Sequence, residues 1–322
     1  MKKTILITGA TGFIGSNLTH YLIESGEKDI HIFIRKNSNL WRIKDIIQKL
    51  NVYEVDLLNK EKLKKVIYEI KPDLIFHNAA YGVTHRSQQD IDLLINTNFI
   101  GSVNLLNILK ELGFKSFINA GSSFEYGLLS KEYEEDDLPN PIDVYGVTKL
   151  AFTNYCRMLS LTEGLPIVTL RLFSTYGYYE SPLKLIPYLI INMLKNNEII
   201  LNTPYAKRDF IFIEDVIDAF IKTAEKIQKI PNGTIIDIGS GNEYNVLEVF
   251  EILNNIMGSK SNYKLSDNYL LKDKSHIWKA KIKKAKEIID WEPKYNLEEG
   301  LAKNVDWFKK NLKLYEGLNY EY

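Results

Sequence analysis

The 322-residue chain contains a single cysteine, Cys156, so no disulfide can form within it, and its cysteine usage fits a reducing compartment. Cys156 lies in Tyr155-Cys156-Arg157-Met158-Leu159, an apolar helical stretch, and reads as a small core side chain rather than a nucleophile. The five histidines, His20, His31, His77, His85 and His276, show no metal-ligand spacing, and no structural metal is expected. Net charge is missing as well. Forty-one Lys+Arg balance 41 Asp+Glu, which leaves no overall field to draw the chain to nucleic acid or to an anionic membrane. The lysine-rich run from Lys279 to Lys284 reads as a solvated helix face. Long apolar runs are also absent: Leu185 to Leu194 is too short to span a bilayer and is followed by Lys195. The apolar residues after Met1-Lys2-Lys3 run into a glycine turn within a few positions, unlike a secretion signal. A soluble, cytoplasmic protein with neither nucleic acid nor membrane as partner is expected.

What the chain has is an alternation of short apolar runs and helical patterns. Hydrophobic content of 45% and charged content of 25% are ordinary for a globular protein, and the length suits one large α/β domain or two modest ones. The organising stretch is Ile5-Leu6-Ile7 followed by Gly9, Gly12 and Gly15, then a helix with Phe13, Ile14, Leu18, Leu22 and Ile23 on one side. In such a strand-turn-helix, Gly9 permits the tight turn, Gly12 lets backbone N–H groups approach a phosphate, and Gly15 lets the helix lie against the sheet. The helix N-terminus then offers unpaired N–H groups and its positive dipole end to a dinucleotide pyrophosphate, with Thr11, Phe13 and Ile14 in the same turn. The spacing G-x-x-G-x-x-G differs from the ordinary G-x-G-x-x-G fingerprint.

A second strand, Ile30 to Ile34, ends in Arg35-Lys36-Asn37-Ser38, where an acidic residue would meet the adenosine ribose of NAD. Bases with a hydroxyl suit a 2′-phosphate instead, so NADP(H) is favoured there, with NAD(H) remaining open. Val52 to Val55 is a third strand, and Asp56 and Leu57 at its end are placed to meet the adenine. Leu63 to Ile70 is an amphipathic helix stopped by Pro72. Leu74 to His77 is a fourth strand running into Asn78-Ala79-Ala80, where Ala79 and Ala80 let the chain pass close to a ligand. A long helix opens at Asn98 and ends near Gly113, and Ser116 to Ala120 is a fifth strand. The alternation predicts an α/β fold with a doubly wound parallel sheet and right-handed crossovers.

After the fifth strand comes Gly121-Ser122-Ser123-Phe124-Glu125-Tyr126-Gly127, and later Tyr145-Gly146-Val147-Thr148-Lys149 opens a helix running through Leu161. Tyr145 and Lys149 are four apart, hence on one helix face. A cation beside a phenol lowers its pKa and makes the tyrosine a usable acid or base, and Ser122 is placed to complete a grip on a carbonyl or alcohol oxygen. Taken in order, glycine turn, strand-end serine and Y-x-x-x-K, these residues resemble the short-chain dehydrogenase/reductase superfamily, in its extended branch that acts on nucleotide-activated sugars. The resemblance spans nearly the whole chain. Arg171 to Gly177 is similar to the family's loop beyond the sixth strand, with Ser174 where many relatives have an asparagine reaching the substrate. Arg208 to Val216 is similar to the segment whose arginine meets the nucleotide phosphates, and Asp237 to Gly241 and Trp291 to Leu301 also match.

The resemblance implies a Rossmann-type dinucleotide domain of residues 1–177 plus 209–235, and a smaller α/β nucleotide-sugar domain of 178–208 plus 236–322. It implies Ser122, Tyr145 and Lys149 as catalytic residues and Ala79, Ala80, Asn98, Tyr145 and Lys149 among the cofactor contacts. Ser123, Phe124, Ser174 and Arg208 would meet the nucleotide-diphosphate sugar, and Thr84, His85 and Arg86 stand where they could reach the hexose. A homodimer through the helices near Asn98 and Tyr145 is implied too. Phe124 occupies the place of the acid that related dehydratases use, and a phenyl ring cannot move a proton, which argues against dehydration. Arg35 tilts the remaining choice towards NADPH-dependent reduction of a nucleotide-linked 4-keto-6-deoxyhexose, for surface polysaccharide sugars. The alternative is an NAD-dependent nucleotide-sugar 4-epimerase. A non-catalytic NADP-sensing protein on the same fold is disfavoured by the intact Ser122, Tyr145 and Lys149.

Overall fold

The computed structural model describes residues 3–82, 90–128, 130–266 and 277–316. Thr84, His85 and Arg86, named above as possible hexose contacts, lie outside the described residues, as does His276. The first half alternates strand and helix: β1 (Ile5–Thr8), α1 (Phe13–Glu24), β2 (Ile30–Ile34), β3 (Asn51–Glu54), α2 (Lys60–Ile70), β4 (Leu74–His77), α3 (Ile91–Ile95), α4 (Ser102–Leu112), β5 (Ser116–Ser122), α5 (Val144–Glu163) and β6 (Ile167–Leu172). The second half adds β7 (Ser174–Tyr176), α6 (Leu185–Lys195), β8 (Ile199–Leu201), β9 (Lys207–Arg208), β10 (Phe210–Phe212), α7 (Ile213–Lys226) and β11 (Ile235–Ile238). It continues with β12 (Tyr244–Asn245), α8 (Val246–Met257), β13 (Tyr263–Leu265), α9 (Lys283–Ile289) and α10 (Leu297–Asn311).

Seven strands form one sheet in the order β3-β2-β1-β4-β5-β6-β11, and every pairing in it is parallel. This is the doubly wound, Rossmann-type order, with the chain reversing direction of assembly between β1 and β4. The continuous apolar runs follow from burial on both faces. Ile5 and Ile7 enter the core beneath α1 and α7, whereas Leu6 enters the core shared with α2, α4 and α5. The same alternation places Phe76 and Ile118 on the first face, and Ile75 and Phe117 on the second. Cys156 is buried in that second core, as its apolar surroundings indicated.

Smaller strand pairs lie outside the main sheet. β7 pairs with β10, β9 with β12, and β8 with β13. Three expectations are corrected. The helix expected from Asn98 begins earlier, where Asp90 Oδ1 accepts the Leu93 N–H at 2.8 Å and caps α3. It then passes through a π-helical stretch, Asn96 to Gly101, before α4, because the extra residue lets Asn98 turn inward. Arg171 lies in β6 rather than in the loop beyond it, and its side chain is buried. The sheet also continues to Ile238, three residues past the expected boundary at 235.

Leu6 is wholly buried in a strand with a neighbour on each side. Leu6→Ala should therefore lower the unfolding free energy by about 3 kcal/mol. In a urea titration the midpoint should fall while the slope stays constant.

Candidate functional site

The glycine turn offers a cradle that suits a dinucleotide phosphate. Gly9 has φ +71°, a conformation L side chains rarely adopt, and a Cβ there would lie 2.6 Å from the Asn78 carbonyl and the Ala79 nitrogen. A Cβ on Gly15 would stand 2.2 Å from the Gly9 carbonyl oxygen, so the helix lies directly on the turn. Gly12 is the N-cap of α1, with no side chain capping the helix and no acidic residue in its first turn. The unsatisfied N–H groups at that end suit an anion. Opposite them, the amide group of Asn78 is buried without a hydrogen-bond partner.

Around this cradle the expected contacts fare unequally. Thr11 is held from outside by Arg42, whose Nη1 donates to its carbonyl at 3.3 Å while Nε donates to the Tyr179 carbonyl at 2.7 Å. Arg42 thereby ties the glycine turn to the loop after β7. Arg35 and Lys36 are exposed at the end of β2. Ser38 Oγ accepts the Arg35 N–H at 2.8 Å, closing a tight turn and leaving the hydroxyl proton to donate outward. The Asp56 carboxylate is used within its own turn, accepting the Leu58 N–H at 2.9 Å, and the Leu57 carbonyl accepts from Asn104 at 3.1 Å. Ala79 lies in the close approach to Gly9, and Ala80 is exposed beside it.

Asn98, expected as a cofactor contact, braces the loop that follows β4. Its Nδ2 donates to the Tyr81 carbonyl and to Thr148 Oγ1, both at 3.0 Å, and its Oδ1 accepts the Tyr81 N–H at 2.7 Å. Both amide protons are consumed in holding the strand-end loop against α5. His77 does similar work beneath: Thr8 Oγ1 lies 2.7 Å from its Nδ1 and Ser102 Oγ 2.9 Å from its Nε2. Burial, aided by the Lys149 charge, drops its pKa to about 3, so it stays neutral.

The end of β5 and the start of α5 bring the three central candidates together. Ser122 caps a 3-10 turn, Ser123 to Glu125, where its Oγ accepts the Phe124 N–H at 3.2 Å, and its side chain lies near enough to the Tyr145 hydroxyl to pull that group's pKa down. Asp143 caps α5 by accepting the Gly146 N–H at 2.6 Å. Gly146 has no space for a side chain, since a Cβ would lie 2.5 Å from the Phe124 carbonyl oxygen, and this closeness sets Tyr145 beside Ser122. Lys149, one turn along, is only 4% exposed. One expectation changes here. Burial pushes the Tyr145 hydroxyl well above its ordinary range, the Glu125 and Asp143 carboxylates add to this, and the Ser122 hydrogen bond only partly opposes it. Burial also lowers Lys149, which Glu125 partly restores. Desolvation therefore outweighs the depression of Tyr145 that Lys149 was expected to give.

Phe124 packs edge-on against Tyr145 at 5.9 Å between ring centroids and against Trp278 at 5.4 Å. Trp278, which the sequence did not single out, is buried with its indole N–H unpartnered, and the Arg208 guanidinium lies 5.0 Å from its ring. Arg208 thus stands on the same wall as Phe124. Ser123 is buried behind that wall, and Ser174 is half-buried in β7, its N–H donated to the Asp209 carbonyl. Next to Arg208 and Trp278 a cavity of about 450 Å³ is lined by Glu132, Asn242, Glu243, Tyr244, Ile277 and Lys279.

A parallel sheet with a glycine cradle at its switch point, and a Ser-Tyr-Lys set at the carboxyl ends of its strands, defines the class of dinucleotide-dependent α/β enzymes. The chain belongs to the NAD dependent epimerase/dehydratase family, whose profile matches residues 5–239. It is 28% identical to a UDP-glucuronate 4-epimerase of Thermodesulfobacterium geofontis over 327 residues, covering 97% of this chain and 98% of the relative. Among solved structures it resembles the UDP-glucose 4-epimerase of Thermotoga maritima with UDP-glucose, at TM-score 0.86 and 28% identity, covering 96% and 99% of the two chains. It also resembles a dTDP-glucose 4,6-dehydratase from Bacillus anthracis in complex with NAD, at TM-score 0.84 and 28% identity, covering 98% and 99%. Among the described residues, no helix is long and apolar enough to cross a membrane.

Gly15→Ala forces a methyl against the Gly9 carbonyl oxygen. It should weaken nicotinamide dinucleotide binding at least about tenfold, a change of about 1.4 kcal/mol, in a fluorescence titration of the folded protein.

Proposed function

We propose that the protein is a nucleotide-sugar 4-epimerase that inverts the C4 hydroxyl of a nucleoside-diphosphate hexose with NAD(H). The carrying observation is the Ser122–Tyr145–Lys149 set with Phe124, not an acid, packed beside it. Glu125, the neighbouring carboxylate, is wholly buried and turned towards Arg171, so it cannot serve elimination of water in Phe124's stead. A proton can be moved at the sugar C4 oxygen, while among the described residues the place beside Tyr145 is taken by the Phe124 ring, which cannot help remove water. The UDP-sugar 4-epimerases among the relatives support this reading over reduction of a 4-keto-6-deoxyhexose.

Bound on the glycine cradle, a nicotinamide supplies the hydride acceptor and donor. Tyr145 takes the C4 hydroxyl proton in the oxidising half and returns it in the reducing half. Ser122 donates a hydrogen bond to the C4 oxygen, and Lys149 supplies the positive charge that offsets the desolvation of the Tyr145 phenolate. Arg208 meets the diphosphate, a role suited to a guanidinium, and the cavity beyond it takes the nucleotide end. Because the hydride donor is fixed, the intermediate ketone must present its other face before the second half. Residues 1–177 with 209–238 serve the cofactor, and 178–208 with 239–322 serve the sugar nucleotide. Exposed Ile91, Ile95, Ile100 and Val147 suit a homodimer in the cytoplasm.

One observation favours a second reading. Arg35 and Lys36 are exposed at the ribose end of β2 and form no ion pair among the described residues, and Ser38 keeps a proton to donate, which suits NADPH and therefore a ketoreductase. Denaturing the purified protein and identifying the released cofactor separates the two. Stoichiometric NAD and interconversion of UDP-hexoses without added cofactor are expected. An empty site that prefers NADPH and consumes it with 4-keto sugar nucleotides would establish reduction instead. In either case Tyr145→Phe should lower kcat about 10²–10⁴-fold with KM little changed.

A further inference from the structure

Beneath the candidate site lies a charge cluster that proton transfer at Tyr145 does not itself use. Glu125 is 0% exposed and Arg171 is 1% exposed, and Arg171 Nε donates to Glu125 Oε2 at 2.8 Å. The other carboxylate oxygen, Oε1, accepts the Ser122 N–H at 2.9 Å and the Thr153 hydroxyl at 3.0 Å. The carboxylate therefore joins three elements: the end of β5, the middle of α5 and β6. The neighbouring backbone has given way to it, since a Cβ on Gly121 would lie 2.9 Å from Oε1. On the far side, the Arg171 guanidinium stacks 4.4 Å from the Tyr126 ring, and the Tyr126 hydroxyl donates to both Asp237 oxygens at 2.9 Å.

A buried ion pair contributes little to stability on balance, because desolvating two charges offsets their attraction. Its retention under a reacting centre calls for another account. We propose that Glu125, clamped by Arg171, is a positioning residue for hydride transfer: it fixes the backbone that carries the Ser122 hydroxyl and places one negative charge under Tyr145 and Lys149. Facing Lys149 are Glu125 from the 3-10 turn, His77 from β4, and Cys156 from its own helix. Facing Tyr145 are Glu125, the Asp143 cap and Ser122. Facing Glu125 are Arg171 from β6, Asp237 from β11 and Lys149 from α5. His77 is neutral, so Glu125 is the negative charge that balances Lys149. Among these groups its removal lowers the proton affinity of both Tyr145 and Lys149.

The inference rests on the assignment of Ser122, Tyr145 and Lys149 to hydride transfer, so Tyr145→Phe is run beside it. Glu125→Gln alone leaves Arg171 as an uncompensated buried charge and can unfold the chain. Two double variants avoid that: Glu125→Gln with Arg171→Met, which removes the charge but keeps an acceptor for Ser122, and Glu125→Leu with Arg171→Met, which removes both. In the oxidising half Tyr145 must be deprotonated, so kcat rises with pH through its pKa. The Gln variant loses both charges of the pair, but Glu125 and not Arg171 acts on Tyr145, so the rising limb should move to lower pH by about half a unit. The Leu variant should show the same displacement and a further loss in kcat of about tenfold, with sugar-nucleotide KM within about twofold of wild type. Folded double variants with the wild-type limb and kcat would overturn the role of Glu125. A fully active Tyr145→Phe would overturn the assignment beneath it.

Discussion

Three backbone segments converge at Gly9, and the placement of everything functional depends on that contact. The end of β1, the start of α1 and the end of β4 approach so closely that Gly9 and Gly15 have no room for even a methyl group. Close packing here is a consequence of topology. β1 and β4 are the adjacent strands at which the sheet changes direction, so their carboxyl ends diverge and open a crevice. The uncapped end of α1 faces into it with its N–H groups unsatisfied. His77 and Asn98 then carry the order outward, the first bridging β1 to α4 and the second bridging the β4 loop to α5.

The far side of the crevice is built on different chemistry. Aromatic rings replace carboxylates at its surface, with Phe124 between Tyr145 and Trp278, while the carboxylates sit one layer deeper. Glu125 faces away from the crevice and Phe124 faces it, because successive side chains of a 3-10 turn project about 120° apart. A single change of register in this turn would exchange the ring for an acid at the crevice, and with it the reaction the site could support. Proton transfer at one oxygen is thereby separated from elimination of water.

The sequence was most legible where the physics is local. The run Ile5-Leu6-Ile7, the glycines after it and the Tyr145–Lys149 spacing are read within one strand-turn-helix or one helical turn, and the structure places them accordingly. Less legible were features set by distant partners. Arg171 looks like a loop residue until Glu125 and Tyr126 are brought against it across β5 and β6. Trp278 gains its meaning only from Phe124 and Arg208, which lie on other elements. The π-helical turn at Asn98, and hence its bracing role, depends on the pull of Tyr81 and Thr148 from other elements. The direction of the Tyr145 shift was misjudged because spacing reports the neighbouring cation and not the cost of desolvation.

The central claim is that one hydride leaves C4 and returns to the same carbon without exchange. Carrying deuterium at C4 of UDP-glucose or UDP-glucuronate through the reaction, with excess unlabelled cofactor in solution, tests it directly. The account predicts a C4-inverted product that retains the label, with none appearing in free cofactor. Label released into free reduced cofactor, or hydrogen replacing deuterium at C4 of the product, would contradict it.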